Sequence, residues 1–221
     1  PLKSFEIHHP LSSRKIANGD VIFDLGQNAS HVPRVTVTGP AGSRVRIIPS
    51  ELAGRDGAAD QQSMGTRNPA IWCDFTKATD GPETWSPKFF YIGCRYLEVK
   101  SFPSADRAKL PEVKSIEGRV VQSAAESVGE FSCSSELFNR IYALVRWAQR
   151  SNMMSVMTDC PQREKRGWLE EDHLNGPALR DNFSLAALFT KMLNDIADAQ
   201  LASGLVPTTA PEYTIFRDKG Q

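Results

Sequence analysis

Residues Thr158–Pro177, TDCPQREKRGWLEEDHLNGP, concentrate the side chains best suited to chemistry. Asp159, Glu164, Glu170, Glu171 and Asp172 place five carboxylates within fourteen residues, beside Arg163, Lys165 and Arg166 and around Trp168. A sugar site asks for this mixture. Arginine and carboxylates grip hydroxyls, an aromatic plate covers the apolar face of a ring, and one carboxyl moves a proton. The same composition also suits a solvated charged loop whose Trp packs on the core. By composition alone that plainer reading leads, because structural charge clusters are common. The first half of the segment lacks an apolar period and is expected to be a loop leading into a helix.

Such a loop needs elements to hold it, and the chain changes character near residue 130. Before that point apolar residues alternate: Val21, Phe23 and Leu25; Val35 and Val37; Val45 and Ile47; Ile71, Cys73 and Phe75; Phe89 and Tyr91; Leu97 and Val99; then Val120. Period two in β-branched and aromatic residues marks half-buried strands. GPAG at Gly39–Gly42 is expected to form a tight hairpin turn between two of them. Six or more short strands with no helical pattern between them imply an antiparallel sandwich. From Ser132 the period becomes 3.6. Leu137, Ile141, Leu144, Val145 and Ala148 make one stripe, with Ser134 or Ser135 placed to cap it. A second helix is expected from about Ser184 to Leu201, with Leu185, Leu188, Phe189, Met192, Ile196 and Ala199 on one face. Lys191, Asn194, Asp195 and Asp198 lie opposite, and Gly204 and Pro207 are placed to stop it. Two amphipathic helices cannot bury broad apolar faces by themselves, so partners outside the chain, and hence a fragment, are expected.

The stretch DCPQRE followed by GW resembles the most characteristic motif of the bacterial α-L-rhamnosidases, family 78 of the glycoside hydrolases. That motif is Asp-Cys-Pro-x-Arg-Glu, then Gly-Trp, then a further acidic residue. FDLGQN at Phe23–Asn28, the GPAG turn and ETWSPKFFYIGCRYLEV at Glu83–Val99 are similar to the family's accessory β-domain. GEFSCSSELFNRIY at Gly129–Tyr142 resembles the start of its catalytic domain, and DAQLASGLVP at Asp198–Pro207 a helix end and loop further into it. The resemblance covers nearly the whole chain in the family's order. It implies a multidomain β + α fold: an antiparallel β-sandwich accessory domain over residues 1–128, then the first helices of a truncated (α/α)6 barrel over 129–221.

The resemblance also implies hydrolysis of terminal non-reducing α-L-rhamnosides with inversion. Inverting glycosidases hold two carboxyls roughly 6.5–9.5 Å apart, one protonating the leaving oxygen and one activating water. By motif position Glu164 is the general acid, while Asp159, Arg163 and Glu171 hold sugar hydroxyls. Trp168 is the apolar wall against the rhamnose ring and its methyl group. The general base is implied to come from a later part of the barrel, and the chain carries no motif for it. Two departures stand out. Glu171 occupies a position where Asp is most common and is followed at once by Asp172, leaving open which of the two faces the site. Arg166 stands where a leucine-like residue is frequent; because cations favour the ionised carboxyl, it is expected to point away from the acid.

Composition narrows the partners. With 26 basic and 26 acidic residues the formal net charge is zero, which argues against a general electrostatic grip on nucleic acid or anionic membrane. No apolar run of about 20 residues is present to span a bilayer, and the N-terminus carries no basic-then-apolar signal pattern. Cys73, Cys94, Cys133 and Cys160 form no Cys-x-x-Cys pair and are expected to be free thiols behaving as small hydrophobes. His8 and His9 sit in an apparent tail and His173 stands alone, so neither a metal nor another cofactor is expected. The partner left is a rhamnose-containing glycoside or polysaccharide. Two rivals remain. Residues 1–125 suit a non-catalytic carbohydrate-binding module, with Trp72 and Trp85 available. A different (α/α)6 carbohydrase, such as an L-fucosidase-like hydrolase, shares the fold, and only the DCPQRE-GW motif favours rhamnose.

Overall fold

In a computed structural model the alternating N-terminal half builds ten strands among the described residues, which are 1–65 and 71–213. They are β1 (Leu2–His8), β2 (Ser12–Lys15), β3 (Val21–Thr38), β4 (Arg44–Ser50), β5 (Leu52–Ala53), β6 (Ala59–Asp60), β7 (Cys73–Thr76), β8 (Glu83–Trp85), β9 (Ile92–Phe102) and β10 (Glu112–Ser123). Eight join one sheet in the order β1-β10-β3-β9-β4-β7, with β2 and β8 each added onto β3, while β5 and β6 form a separate ribbon. By backbone contacts the chain divides into two units, Ser4–Val121 and Gln122 onward with Pro1–Lys3.

The antiparallel sandwich arises because one strand serves two layers. The runs at Val21–Leu25 and Val35–Val37 belong to a single 18-residue strand, β3. Its first part pairs with β2 and β9, its last part with β8 and β10. Between these parts the register breaks: Asp24 faces Tyr96, yet Ala29 already faces Cys94, so four residues of β3 oppose Arg95 alone. The FDLGQN sequence makes this bulge. Gly26 takes φ 81°, a conformation that costs a glycine little. Its N–H donates to Asp24 Oδ1 at 2.7 Å, and Arg95 clamps the same carboxylate through Nε and Nη2 at 2.7 and 2.9 Å. The strand then curls around a core of Leu25, Val35, Val37, Val45, Ile47, Met64, Ile92, Cys94, Leu97, Val99 and Ile116. Full burial of each aliphatic side chain contributes about 1.5–3 kcal/mol.

Two expectations for this half are corrected. GPAG does not make a hairpin turn. Ser43 N–H bonds Pro40 O at 3.2 Å, so a turn exists, but β3 and β4 flank β9 instead of pairing with each other. Phe89 and Tyr91 are not a strand either; they lie in the loop before β9, where Phe89 is fully exposed at φ 54°. Alternation over three residues is too short to distinguish a strand from a loop.

The second unit holds three helices among the described residues, α1 (Glu136–Asn152), α2 (Leu169–Asn182) and α3 (Ala186–Ala199), and α2 is the helix into which the Thr158–Pro177 loop was expected to lead. α2 shows no apolar stripe in the sequence, because charged residues open it and Pro177 interrupts its pattern. α3 buries the expected stripe, with Leu188 and Met192 innermost, and joins Ala125, Met153, Met157, Leu179, Phe183 and Leu185 in a small core. It ends two residues early, and Gly204 closes a separate turn with Leu201. α1 is inverted. Its expected apolar stripe is exposed, Leu144 by 68%. The face it packs is polar: Tyr142 OH donates to Asn182 Oδ1 at 2.7 Å, and Asn182 Nδ2 to Gln149 Oε1 at 3.2 Å. Ser135 occupies the N-cap without a side-chain bond; Asn139 instead exchanges two bonds with the backbone of Cys133, each at 2.9 Å. All four cysteines are thiols outside any disulfide, and Cys73 and Cys94 are buried. Among the described residues no helix is long and apolar enough to cross a membrane.

Candidate active site

The DCPQRE spacing closes a loop on itself. Asp159 N–H donates to Arg166 O at 3.1 Å, and Arg166 N–H returns a bond to Asp159 Oδ1 at 2.9 Å. Cys160 Sγ donates to Asp159 Oδ2 at 3.1 Å and accepts the N–H of Glu164 at 3.2 Å. Asp and Cys thus sit at the loop base because each satisfies backbone or side-chain groups that the tight path would strand. Lys165 turns the chain back at φ 56°, a strained conformation for a side chain of its size.

A second segment braces the loop from outside. Ala210 N–H donates to Gly167 O at 3.0 Å, Leu169 N–H to Thr208 O at 3.0 Å, and Trp168 bridges Thr209. Gly167 is required here, since a Cβ would fall 2.5 Å from Ala210 O. The Tyr213 hydroxyl lies 3.2 and 3.3 Å from the carbonyls of Glu164 and Lys165 and shares its hydrogen between them. These residues carry no signal in the sequence because their bonds span 39 to 49 positions and use mostly backbone atoms.

Within this frame Glu164 is half-buried and faces two arginines. Arg163 Nη2 lies 2.9 Å from Oε1, and Arg166 Nη1 3.9 Å from Oε2. The expectation that Arg166 points away is therefore corrected. Its backbone is fixed by Asp159, which aims the side chain back over the loop toward Glu164 and the Tyr213 ring, 6.0 Å from its centre. Trp168 is half-buried at the N-cap of α2. Glu171, in the first turn, accepts from Asn175 Nδ2 at 3.0 Å. No hydrogen bond or ion pair joins Glu171 to Asp159, Arg163 or Glu164 among the described residues.

Asp172 differs from its neighbours. Its Oδ1 is buried without a hydrogen-bond partner, and desolvation, helped by the charge of Glu171, pushes its carboxyl up to about 6. The α2 N-terminus favours anions, yet burial outweighs it here. A carboxyl of raised proton affinity, an exposed Arg163 and a carboxylate in a braced loop are the parts needed to bind hydroxyls and pass a proton. No group of three or more His, Cys, Asp or Glu suited to a metal ion occurs among the described residues.

Comparison with known proteins places both units. Residues 14–122 match the model of the bacterial alpha-L-rhamnosidase concanavalin-like domain, and residues 126–221 that of the bacterial alpha-L-rhamnosidase 6 hairpin glycosidase domain. An alpha-L-rhamnosidase of Streptomyces avermitilis is 33% identical over 205 residues, 91% of this chain and 19% of that protein. One from Formosa agariphila is 28% identical over 203 residues, 90% of this chain and 21% of its own length. Among solved structures, the alpha-L-rhamnosidase from Dictyoglumus thermophilum superposes with a TM-score of 0.88 at 33% identity, covering 98% of this chain and 24% of that one. The Streptomyces avermitilis enzyme complexed with L-rhamnose superposes with a TM-score of 0.86 at 30% identity, covering 97% of this chain and 20% of that one. The chain spans about a fifth of the length of these curated relatives.

Proposed function

We propose, for a chain that belongs to the bacterial α-L-rhamnosidase family, that the protein carrying it hydrolyses terminal non-reducing α-L-rhamnosides with inversion of configuration. The observation that carries this reading is the placement of Glu164 at the tip of a self-closed loop within the match to the glycosidase domain. Glu164 is the general acid. The carboxylate that activates water comes from outside these 221 residues, which span about a fifth of the relatives. The substrate is a rhamnose-containing glycoside or polysaccharide.

The geometry refines the binding roles. Cations beside a carboxyl favour its ionised form, so a proton donor must shed them. Arg163, more exposed than Glu164, swings from Oε1 onto a sugar hydroxyl when substrate arrives. Asp159 already accepts from Arg166 and Cys160, so its first task is to hold the loop, and any hydroxyl bond is its second. Glu171, steadied by Asn175, accepts from hydroxyls, and Trp168 offers its ring to the C–H face and methyl group of a 6-deoxy sugar.

Leaving-group dependence in the whole protein tests the acid. Glu164→Gln keeps the shape and removes the proton. Rhamnosides with alkyl or sugar leaving groups then slow by about 10²–10⁴, while an activated aryl rhamnoside, whose phenolate needs little help, slows far less. The basic limb of the pH profile flattens and the acidic limb stays. Equal slowing of good and poor leaving groups would remove Glu164 from the role and make Glu171 or Asp172 the next candidate.

A further inference from the structure

Where β2, β3 and β9 run side by side, two consecutive rows of residues share one face of the sheet. Ser12 pairs with Asp24 and Asp24 with Tyr96; two positions along, Arg14 pairs with Ile22. Cross-strand partners share a face, and so do residues two apart on a strand. Ser12, Arg14, Ile22, Asp24 and Tyr96, with Ala53 of β5, line a cavity of about 240 Å³. That is below the roughly 300–1,000 Å³ that encloses drug-sized ligands and suits a single sugar ring.

The polar groups of this cavity are unevenly satisfied. Asp24 accepts three hydrogen bonds, one from Gly26 and two from the fork of Arg95, whose hydrogen bonds hold its carboxyl below the usual carboxylate range. Its charge is cancelled. Arg14 is different: among the described residues its side chain makes one hydrogen bond, Nη2 to Gly57 O at 3.1 Å, and no ion pair. The rest of this exposed guanidinium is open to a ligand. The Ser12 and Tyr96 hydroxyls have no hydrogen-bond partner among the described residues. Every open polar group can donate, and one positive charge is left over. A planar guanidinium with spare N–H groups takes a carboxylate in a two-pronged grip, while Ala53 offers a small apolar surface beside it.

We propose that this cavity binds one acidic sugar unit, a uronate, with its carboxylate on Arg14 and its hydroxyls on Ser12 and Tyr96. It uses no residue of the Asp159–Trp168 loop and adds a recognition task to the hydrolytic one. The preference for a sugar over a simple carboxylate rests on the proposed function in one respect: a unit sharing its chain with a glycosidase domain meets polysaccharide.

Titration of the 221-residue chain with methyl galacturonoside, followed residue by residue by NMR, tests this. Saturable shifts are expected at Ser12, Arg14 and Tyr96. Methyl galactoside, which lacks only the carboxylate, binds at least about tenfold more weakly, as does the Arg14→Gln chain. The Arg14→Gln chain keeps an unchanged melting curve, since Arg14 lies on an exposed strand. The proposal is overturned if methyl galactoside binds as well, if acetate or inorganic phosphate gives the same shifts at the same concentration, or if no saturable shift occurs. Sugar binding and rhamnoside hydrolysis are separate readouts, so failure of one leaves the other standing.

Discussion

Asp172 shows how burial and charge compete within one helical turn. An unperturbed aspartate is ionised above pH 4, but this one holds its proton to about 6, chiefly through desolvation and then through the charge of Glu171. Its native proton affinity exceeds its unfolded one. The stability that goes with protonation is therefore whole below the unfolded value near 4 and is lost as pH rises through 6. Asp172→Asn removes the ionising group, so the variant is expected to be more stable than the parent at pH 7.5, with the gap closing by pH 4. The gain is at most about 1 kcal/mol, since a half-buried group is partly screened by water. Denaturant unfolding of the helical unit at both pH values measures it, and a gap that is the same at both would refute the assignment.

At the scale of elements, β1 is tied to β3 through two histidines. The His31 Nδ1 atom lies 2.9 Å from the Cys94 carbonyl, which can only accept, so Nδ1 carries the proton. His31 Nε2 then accepts from His8 Nδ1 at 2.9 Å, and His8 Nε2 faces Glu6 at 3.5 Å. The pairing leaves His31 no room for a second proton. Desolvation, then the neighbouring charge of His8, push it down to about 4. Between pH 6.5 and 4 only the unfolded chain takes up that proton, so the sheet loses stability as pH falls through this window. The difference of about 2.5 units corresponds to about 3 kcal/mol. The urea midpoint of the sheet unit should fall over this range, and less steeply in the His31→Gln chain. Parallel curves for the two chains would contradict the neutral, buried His31. Gly118 belongs to the same arrangement, because a Cβ there would fall 2.7 Å from the His31 ring.

At the scale of the molecule, the two units differ in what they bury. The sheet unit encloses a continuous core, whereas the helical unit has a small core and leaves Leu137, Phe138, Ile141, Leu144 and Val145 of α1 exposed. Most helical stability comes from packing an apolar face. Limited proteolysis of the 221-residue chain is expected to cut the helical unit first and leave a resistant sheet; equal protection of both would refute this. The same chain is expected to show no turnover of an aryl α-L-rhamnoside above background, because the proposed inverting mechanism needs two carboxyls and assigns only one of them, Glu164, to this chain. Turnover near that of the whole protein would place the base within these residues.

Periodicity determined the strand-then-helix organisation and the apolar stripe of α3, and residue type marked out Thr158–Pro177, because period and residue type are local properties. The DCPQRE-GW motif was legible for a related reason. Asp159, Cys160 and Glu164 close a loop through bonds no more than seven residues apart, so their spacing is written into the sequence. Other features were decided only by the tertiary structure. The two runs that merge into β3 depend on which strands flank them, and GPAG connects strands separated by β9, which pairing alone determines. The buried face of α1 is polar because Asn182, forty residues from Tyr142, is its partner. Arg166 turns toward Glu164, and Asp172 holds its proton more tightly than a free aspartate, because of what surrounds them in space. Burial and long-range hydrogen bonds are properties of the packed chain, and neither has a spacing that a sequence can display.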